Sequence, residues 1–242
     1  MPGLPSRFRL VAALVLLSGC AAAPPRPIAA LSAEEQNDLG VAYYRRGEYA
    51  AAARAFHRAL DQRPGFTRAL VNLGDAERAR GAIDAAITAY EAARAQRPDD
   101  PGIANNLAWT LLQHPRRWPE AEPLVRAALV QDPEPRGYYL DTLGFALLRK
   151  GLPADALDAF RAALADPALR DASTRALVIT HAGDALARLG QRVAAQRCYH
   201  LAESLGRPAG RPAAGGAADV PAGTPPDIAP DIGKVGGSDP VC

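Results

Sequence analysis

One pattern of residues occurs five times along the chain, first at an interval of 34 residues and then at slightly longer ones. The segments that begin at Asn37 and Val71 share a Leu-Gly pair, a second Gly, two Ala, an aromatic residue and a closing Pro in one register. Related segments begin at Asn105, Asp141 and Thr180. A unit of this size cannot bury its apolar face alone, so successive units stack on one another. The pattern therefore predicts a solenoid.

Small and large apolar residues alternate inside each unit in a way that predicts how its helices pack. Two helices approach closely only where side chains are small, and larger residues fill the space beside each crossing. The small residues are Gly40, Gly74, Ala108, Gly144 and Gly183 at the eighth place, Ala52, Ala86, Ala121, Ala156 and Ala195 at the twentieth, and Ala59, Ala93, Ala128, Ala163 and Ala202 at the twenty-seventh. The larger ones are Phe56, Tyr90, Val125, Phe160 and Tyr199.

Helix ends are marked by glycine and proline. In four units a glycine ends the first helix, where a left-handed cap costs it little. These glycines are Gly47, Gly81, Gly151 and Gly190, and the second helices close at Pro64, Pro98, Pro133 and Pro167. The third unit departs from the pattern, because it carries an extra residue before Ala121 and the loop HPRRWPEA in place of the glycine. The fifth unit lacks the closing proline, as a terminal unit can.

In period and key positions, residues 33–206 resemble the tetratricopeptide repeat. The resemblance implies an all-α fold, an α-solenoid of about five helix-turn-helix units in a right-handed superhelix. We expect units near 33–66, 67–100, 101–136, 137–170 and 171–206. The remaining segment, 207–242, is rich in Pro, Gly and Ala, with too little apolar mass to fold alone, and is predicted to be a disordered tail.

The N-terminus reads as a secretory leader. Arg7 and Arg9 precede the apolar run from Leu10 to Leu17, which is shorter than the about 20 residues that cross a bilayer. The sequence Leu-Ser-Gly that ends at Cys20 resembles the bacterial lipoprotein box. This implies a signal peptide over 1–19, acylation of Cys20 with palmitate-like chains and a lipidated tether over 20–32. An alternative is an ordinary signal, cut near Ala22 or Ala23, with an incidental cysteine.

Charge and cysteine content narrow the function further. Without residues 1–19 the numbers of basic and acidic residues are equal, which disfavours a nucleic-acid partner.

Ala21 follows Cys20 at the position where an Asp would retain such lipoproteins at the inner membrane, so the resemblance implies the periplasmic face of the bacterial outer membrane. In that oxidising compartment Cys198 and Cys242 can pair as a disulfide, or remain a buried thiol and a tail residue without consequence.

Catalysis is not expected. The four histidines, His57, His114, His181 and His200, fall in different units without ligand spacing, and a surface or packing role suits them. The sequence contains no Gly-rich phosphate loop, no Cys/His metal cluster and no nucleophile-elbow serine. We therefore predict no enzyme activity, no cofactor and no metal.

Tetratricopeptide arrays bind peptides or protein segments on the concave surface formed by the first helix of each unit. Carried over by register, the resemblance assigns this groove to thirteen residues, with an apolar and aromatic middle rimmed by arginine. They are Asn37, Val41, Tyr44, Arg45, Arg78, Asn105, Trp109, Leu112, Asp141, Phe145, Leu148, Arg149 and Arg188. Two alternatives stay open: Trp109 and Phe145 pack as core between units, or the chain's own tail or its 21–32 tether fills the groove.

The expected function is that of a non-enzymatic scaffold whose partner is a protein or peptide segment in the groove and whose lipid on Cys20 binds the membrane. The chain resembles the tetratricopeptide lipoproteins that serve type IV or Flp-type pilus biogenesis and secretion. Adaptors that recruit peptidoglycan enzymes or support exopolysaccharide export are alternatives of the same shape. A hydrolase is disfavoured because no nucleophile and base are recognisable. The sequence leaves the oligomeric state open.

Overall fold

The computed structural model describes residues 31–132 and 136–206, and within these ranges the chain is helical, without strands. The helices are α1 (Ala33–Arg45), α2 (Tyr49–Gln62), α3 (Thr67–Ala79), α4 (Ile83–Gln96), α5 (Pro101–Gln113), α6 (Ala121–Gln131), α7 (Arg136–Arg149), α8 (Pro153–Ala165), α9 (Ala172–Arg188) and α10 (Arg192–Gly206). They form five consecutive pairs, and each pair packs on the next. The predicted all-α solenoid of five helix pairs is confirmed.

Side chains cap the first helices of three pairs. At α1, Ser32 Oγ accepts the N–H of Glu35 at 3.2 Å and Glu35 Oε2 accepts the N–H of Ser32 at 2.8 Å. At α5 a carboxylate oxygen of Asp100 accepts the N–H of Ile103, and at α9 one of Asp171 accepts the N–H of Thr174. These bonds satisfy N–H groups that have no partner within the helix, and so they fix where the units begin.

The four predicted glycine caps have the backbone conformation that requires glycine. Gly47, Gly81, Gly151 and Gly190 have φ angles of +77°, +82°, +83° and +79°. An L side chain is strained at such angles, whereas glycine adopts them freely. The chain therefore reverses after α1, α3, α7 and α9 in the same way each time.

Within a pair, the glycine of the first helix lies against the aromatic ring of the second. A Cβ atom added to Gly40 or Gly144 would lie 2.4 Å from a ring carbon of Phe56 or Phe160. At Gly183 the distance to Tyr199 would be 2.6 Å. The third unit has Ala108 at this place and the smaller Val125 opposite it, and both are buried. The size of the residue on the first helix is thus matched to the size of the residue that faces it from the second helix.

The irregular loop of the third unit is organised by His114. Its Nδ1 accepts the backbone N–H groups of Arg116 and Arg117 at 3.1 and 3.0 Å, so the ring proton lies on Nε2. Nε2 in turn lies 3.1 Å from a carboxylate oxygen of Asp84 in the preceding unit. A turn of 3₁₀ helix, Trp118–Glu120, then leads into α6. The extra residue is therefore accommodated in the loop while the helix pair is retained.

Several predictions lie outside the described residues: the signal segment, Cys20, nearly all of the tether, and the tail after Gly206. Among the helices that the structure describes, none is both long enough and apolar enough to span a bilayer.

Candidate functional site

The predicted groove residues lie on the first helices α1, α3, α5, α7 and α9, which we call the inner helices. Nine of the thirteen expose part of their surface. Arg45 and Arg188 are exposed, and the other seven are half-buried: Val41, Tyr44, Arg78, Asn105, Trp109, Phe145 and Arg149. These nine side chains are available to a partner, and their contact with one stays a prediction.

The other four predicted groove residues are buried, so they do not present a side-chain surface. Leu112 is 1% exposed and Leu148 is 2% exposed, and both belong to the continuous apolar core. Asn37 and Asp141 are also buried, and each binds a polar residue of the next inner helix. Their assignment to the groove is corrected on this ground: the packing of one unit on the next covers them.

Two polar pairs join neighbouring inner helices at the same places of their units. Asn72 Nδ2 donates a hydrogen bond to Asn37 Oδ1 at 2.8 Å, between α1 and α3. His181 Nδ1 lies 2.8 Å from Asp141 Oδ1, between α7 and α9, and both side chains are buried. In each case the fifth place of one unit meets the sixth place of the next. Buried polar groups need such partners, and here the partners also fix the register between units.

An aromatic cluster surrounds His181 in the middle of the inner helices. The ring centroids of Trp109 and Phe145 are 5.4 Å apart, and both lie within 6 Å of the His181 ring, at 5.8 and 5.1 Å. Phe160 contacts the same imidazole from α8, at 5.6 Å. Trp109 and Phe145 remain half-buried, so their rings both pack between units and present an apolar surface. The two rings therefore pack between units, and their assignment to the groove stays a prediction.

Two of the predicted rim arginines bind the end of the preceding inner helix. Arg188 donates to the backbone oxygen of Leu148 at 2.7 Å, and Arg149 donates to the backbone oxygen of Leu112. Carbonyl groups in the last turn of a helix have no partner within it, so these guanidinium groups cap α7 and α5. Partial burial lowers the pKa of Arg149, whose guanidinium also lies 5.3 Å from the Trp118 ring centroid. Both arginines therefore connect adjacent units.

The N-terminal part of the face is more polar. Arg78 donates to Asp75 at 3.3 Å, and the same carboxylate oxygen accepts the hydroxyl of Tyr90 at 2.7 Å. Burial and the neighbouring carboxylate raise the pKa of Tyr90, which stays protonated as the donor. Arg45, by contrast, is exposed at the end of α1, beside the half-buried Tyr44. This half of the face therefore offers a guanidinium and a phenol group to a partner.

Across the parts of the chain that the structure describes, no three His, Cys, Asp or Glu side chains are arranged to hold a metal ion. An open pocket of about 660 Å³ lies at the turn between α4 and α5, and its lining includes Arg97, Asp99, Asp100, Asp132 and Tyr139. None of the thirteen predicted groove residues lines it.

Comparisons with known proteins agree with this geometry. Two family profiles described as tetratricopeptide repeat match residues 37–101 and 77–142. Residues 37–142 match tetratricopeptide repeats. A search of curated proteins gave no match.

Solved structures with tetratricopeptide repeats extend the likeness over most of the helical region. PilF of Pseudomonas aeruginosa is 23% identical, with a TM-score of 0.58, over 74% of this chain and 78% of that one. A MamA structure, MSR-1, is 24% identical, with a TM-score of 0.53, over 72% and 95% of the two chains. YrrB, described as having an unusual peptide-binding site, is 17% identical, with a TM-score of 0.51, over 72% and 86%. At these identities the comparison establishes the fold alone.

Sequence reasoning missed the polar bonds that join and support the tetratricopeptide repeats. Asp75 and Asp184 sit at the ninth place only in the two units that have tyrosine at the twenty-fourth place, a correlation visible in the sequence itself. The bonds between Asn37 and Asn72 and between Asp141 and His181 have no such signal, because the residue types differ from one junction to the next.

Proposed function

We propose that the protein is a lipid-anchored scaffold at the periplasmic face of a bacterial outer membrane, where its inner helices hold a protein segment of an envelope machine. A type IV or Flp-type pilus, or a related secretion system, is the machine that we propose. The observation that carries the binding role is the half-buried pair of Trp109 and Phe145, whose rings lie 5.4 Å apart on neighbouring inner helices. Aromatic side chains in such a position are the common anchors of protein interfaces.

Two further observations support the location and the pathway. The lipoprotein-like box that ends at Cys20 supplies the membrane attachment, and two or more acyl chains are enough for a stable anchor. The structural likeness to PilF supports a role in pilus assembly as the envelope process. The surface at the middle of the inner helices favours a partner segment with apolar side chains. The exposed Arg45 favours an acidic group near the N-terminal end of the same segment.

Membrane attachment is tested with Cys20→Ser in cells fed labelled palmitate. We expect the wild type to incorporate label and to fractionate with the outer membrane, and the variant to do neither. The lipid anchor would be refuted if the wild type took up no label and the variant still fractionated with the outer membrane.

The binding face is tested by photo-crosslinking in intact cells. An aromatic photo-crosslinking amino acid is placed at Trp109, where it retains a ring, and at Arg45. His57, exposed on α2, receives the same amino acid as the control. We expect one common adduct from Trp109 and Arg45 and no such adduct from His57. Adducts from His57 alone would place the partner on the second helices of the units, such as α2. An adduct identified as a component of another envelope process would refute the pilus assignment while retaining the scaffold.

A further inference from the structure

The pocket at the turn between α4 and α5 carries an excess of negative charge. Its lining includes the carboxylates of Asp99, Asp100 and Asp132 and the guanidinium of Arg97, all of which belong to the described residues. Three negative groups and one positive group give a formal charge of −2. A volume of about 660 Å³ is large enough for a long side chain and not only for a single ion.

Tyr139 adds a buried polar group to this pocket. It lines the pocket from α7 and is 5% exposed, and none of the hydrogen bonds within the described residues involves its hydroxyl. Burial, followed by the carboxylates of Asp132 and Asp100, raises the pKa of Tyr139. Both carboxylates line the pocket, so the hydroxyl faces it. A buried phenol normally has a hydrogen-bond partner, and here the partner has to come from outside the described residues.

The negative charge of the pocket is only partly neutralised. Asp100 accepts the N–H of Ile103 through Oδ1, and its Oδ2 lies 3.8 Å from Nη1 of Arg97. That ion pair is long and the Arg97 side chain is 66% exposed, so water weakens the attraction. Asp99 is exposed and forms no ion pair with a described residue. The pocket therefore favours a cationic guest.

We propose that this pocket binds the guanidinium group of an arginine side chain from a partner protein. Among the described residues no three acidic, His or Cys side chains converge closely enough for a metal ion, so the carboxylates reach different parts of a guest. A planar guanidinium has five N–H donors and contacts separated acceptors at once, whereas an ammonium group is a compact charge. The Tyr139 oxygen accepts one of these N–H groups. The methylene stem of the arginine lies against Pro98 and Pro101.

The place of the pocket in the fold favours a side chain of a protein segment over a free small molecule. The pocket lies where α5 begins, and Tyr139 belongs to α7, so two neighbouring inner helices form part of its lining. Tyr138, at the second place of its unit, is 38% exposed, and Leu177, at the second place of the next unit, is 44% exposed. These apolar side chains suit residues that flank the arginine. In taking a protein segment as the guest, the inference rests on the proposed function.

A titration of the full-length protein in detergent tests the pocket by itself. Meta-fluorotyrosine placed at Tyr139 gives one fluorine NMR signal beside the carboxylates, and the ligand is the peptide acetyl-Gly-Arg-Gly-amide. A single side chain contributes modest affinity, so we expect a saturable shift with a Kd on the order of 1 mM. The same peptide with citrulline keeps the shape of arginine without its charge and should bind at least about tenfold more weakly.

Two variants identify the groups that bind. Asp99→Asn removes an exposed carboxylate and should weaken binding of the arginine peptide about three- to tenfold. Asp155→Asn, which changes an exposed carboxylate at the start of α8, is the matched control and should leave the affinity unchanged. Meta-fluorophenylalanine placed at Tyr139 keeps the label and removes the hydroxyl. It should weaken binding about three- to tenfold without lowering the melting temperature, because the hydroxyl bonds to no described residue.

The protein guest is tested in intact cells with the photo-crosslinking amino acid at Tyr138. We expect an adduct whose yield falls several-fold in Asp99→Asn and not in Asp155→Asn. Equal yields in the two variants would overturn the assignment of an arginine from a partner protein.

Three results of the titration would overturn the inference: no saturable shift, equal binding of the citrulline peptide, or an affinity that neither Asp99→Asn nor loss of the hydroxyl changes. These results are distinguishable from a failure of the proposed function. Binding of the arginine peptide without the common adduct from Trp109 and Arg45 would refute the binding face alone. That adduct together with no binding of the arginine peptide would refute the pocket alone.

Discussion

The hydroxyl of Tyr90 donates a hydrogen bond to Oδ1 of Asp75 at 2.7 Å, and Tyr199 makes the same bond to Asp184 at 2.8 Å. Both pairs join the second helix of a unit to its first helix, across 15 positions of sequence. The three units without tyrosine have two apolar residues at these places: Val41 and Phe56, Trp109 and Val125, Phe145 and Phe160. The carboxylate thus occurs only where a hydroxyl needs an acceptor.

This correlation predicts a coupling between the two residues. Tyr90→Phe removes the donor and leaves the Asp75 carboxylate with Arg78, so we expect a loss of about 0.5 to 1.5 kcal/mol in the free energy of unfolding. Adding Asp75→Val reproduces the pair of the first unit and should recover part of that loss. Urea denaturation of both single variants and the double variant measures the coupling. Strictly additive effects would show that the bond contributes nothing specific.

A second prediction concerns the contact between Gly144 and Phe160. In Gly144→Ala the new Cβ would lie 2.4 Å from the ring, so helix α7 or the ring must move. We expect a cost of about 1 to 3 kcal/mol from overpacking. The third unit shows the compensating change, since it has Ala108 opposite Val125. Phe160→Val should therefore lower the melting temperature less in the Gly144→Ala background than in the wild-type background. The opposite order of the two losses would contradict the size matching.

The buried pair of Asp141 and His181 provides a third prediction. Asp141→Ala leaves the imidazole nitrogen without its partner among Trp109, Phe145 and Phe160, where water has little access. We expect a loss of about 1 to 3 kcal/mol. Asn37→Ala, at the same place of the first unit, is the matched control. Its partner Asn72 is half-buried and can bond to water instead, so the control should lose less. Equal losses in chemical denaturation would argue against the difference in burial.

The sequence predicts the parts of this fold that repeat and misses those that differ between units. Gly47 and Gly151 could be recognised as helix caps because one backbone requirement recurs in each unit. The groove prediction failed at Leu112 and Leu148 for a related reason. Register identifies the side of a helix, but the way in which the next unit covers that side depends on packing between units.

Acid should weaken the junction between the third and fourth units. The hydrogen bond from Lys150 at 2.9 Å, followed by that from Arg126, lowers the pKa of Glu122 below its ordinary 4.5. The folded chain therefore holds its proton less tightly than the unfolded chain, so this contribution is present above the ordinary pKa and is lost as the pH falls through the lower, folded value. Because Lys150 is half exposed, we expect about 0.2 to 1 kcal/mol.

Lys150→Met isolates that contribution. The variant should be less stable than the wild type at about pH 7. The difference should shrink as the pH falls from 4.5 through the lower pKa of Glu122 in the folded wild type, because Glu122 then becomes protonated in both proteins. Urea denaturation across this pH range measures it. A difference that stays constant with pH would assign the effect to the side-chain stem of Lys150 and not to its charge.

The last prediction separates binding from packing at Trp109. Its ring is half-buried against Phe145 and His181, so Trp109→Ala should lower both the melting temperature and the affinity for a segment identified by crosslinking. Loss of an aromatic anchor costs about 2 kcal/mol or more, which is roughly thirtyfold in affinity. Trp118→Ala is the matched control, because Trp118 is also half-buried but lies in the loop before α6. Affinities are measured by titration calorimetry with a synthetic peptide, at a temperature where both variants are folded. Weaker binding in Trp109→Ala alone supports the face, whereas unchanged binding despite a lower melting temperature would make Trp109 a packing residue.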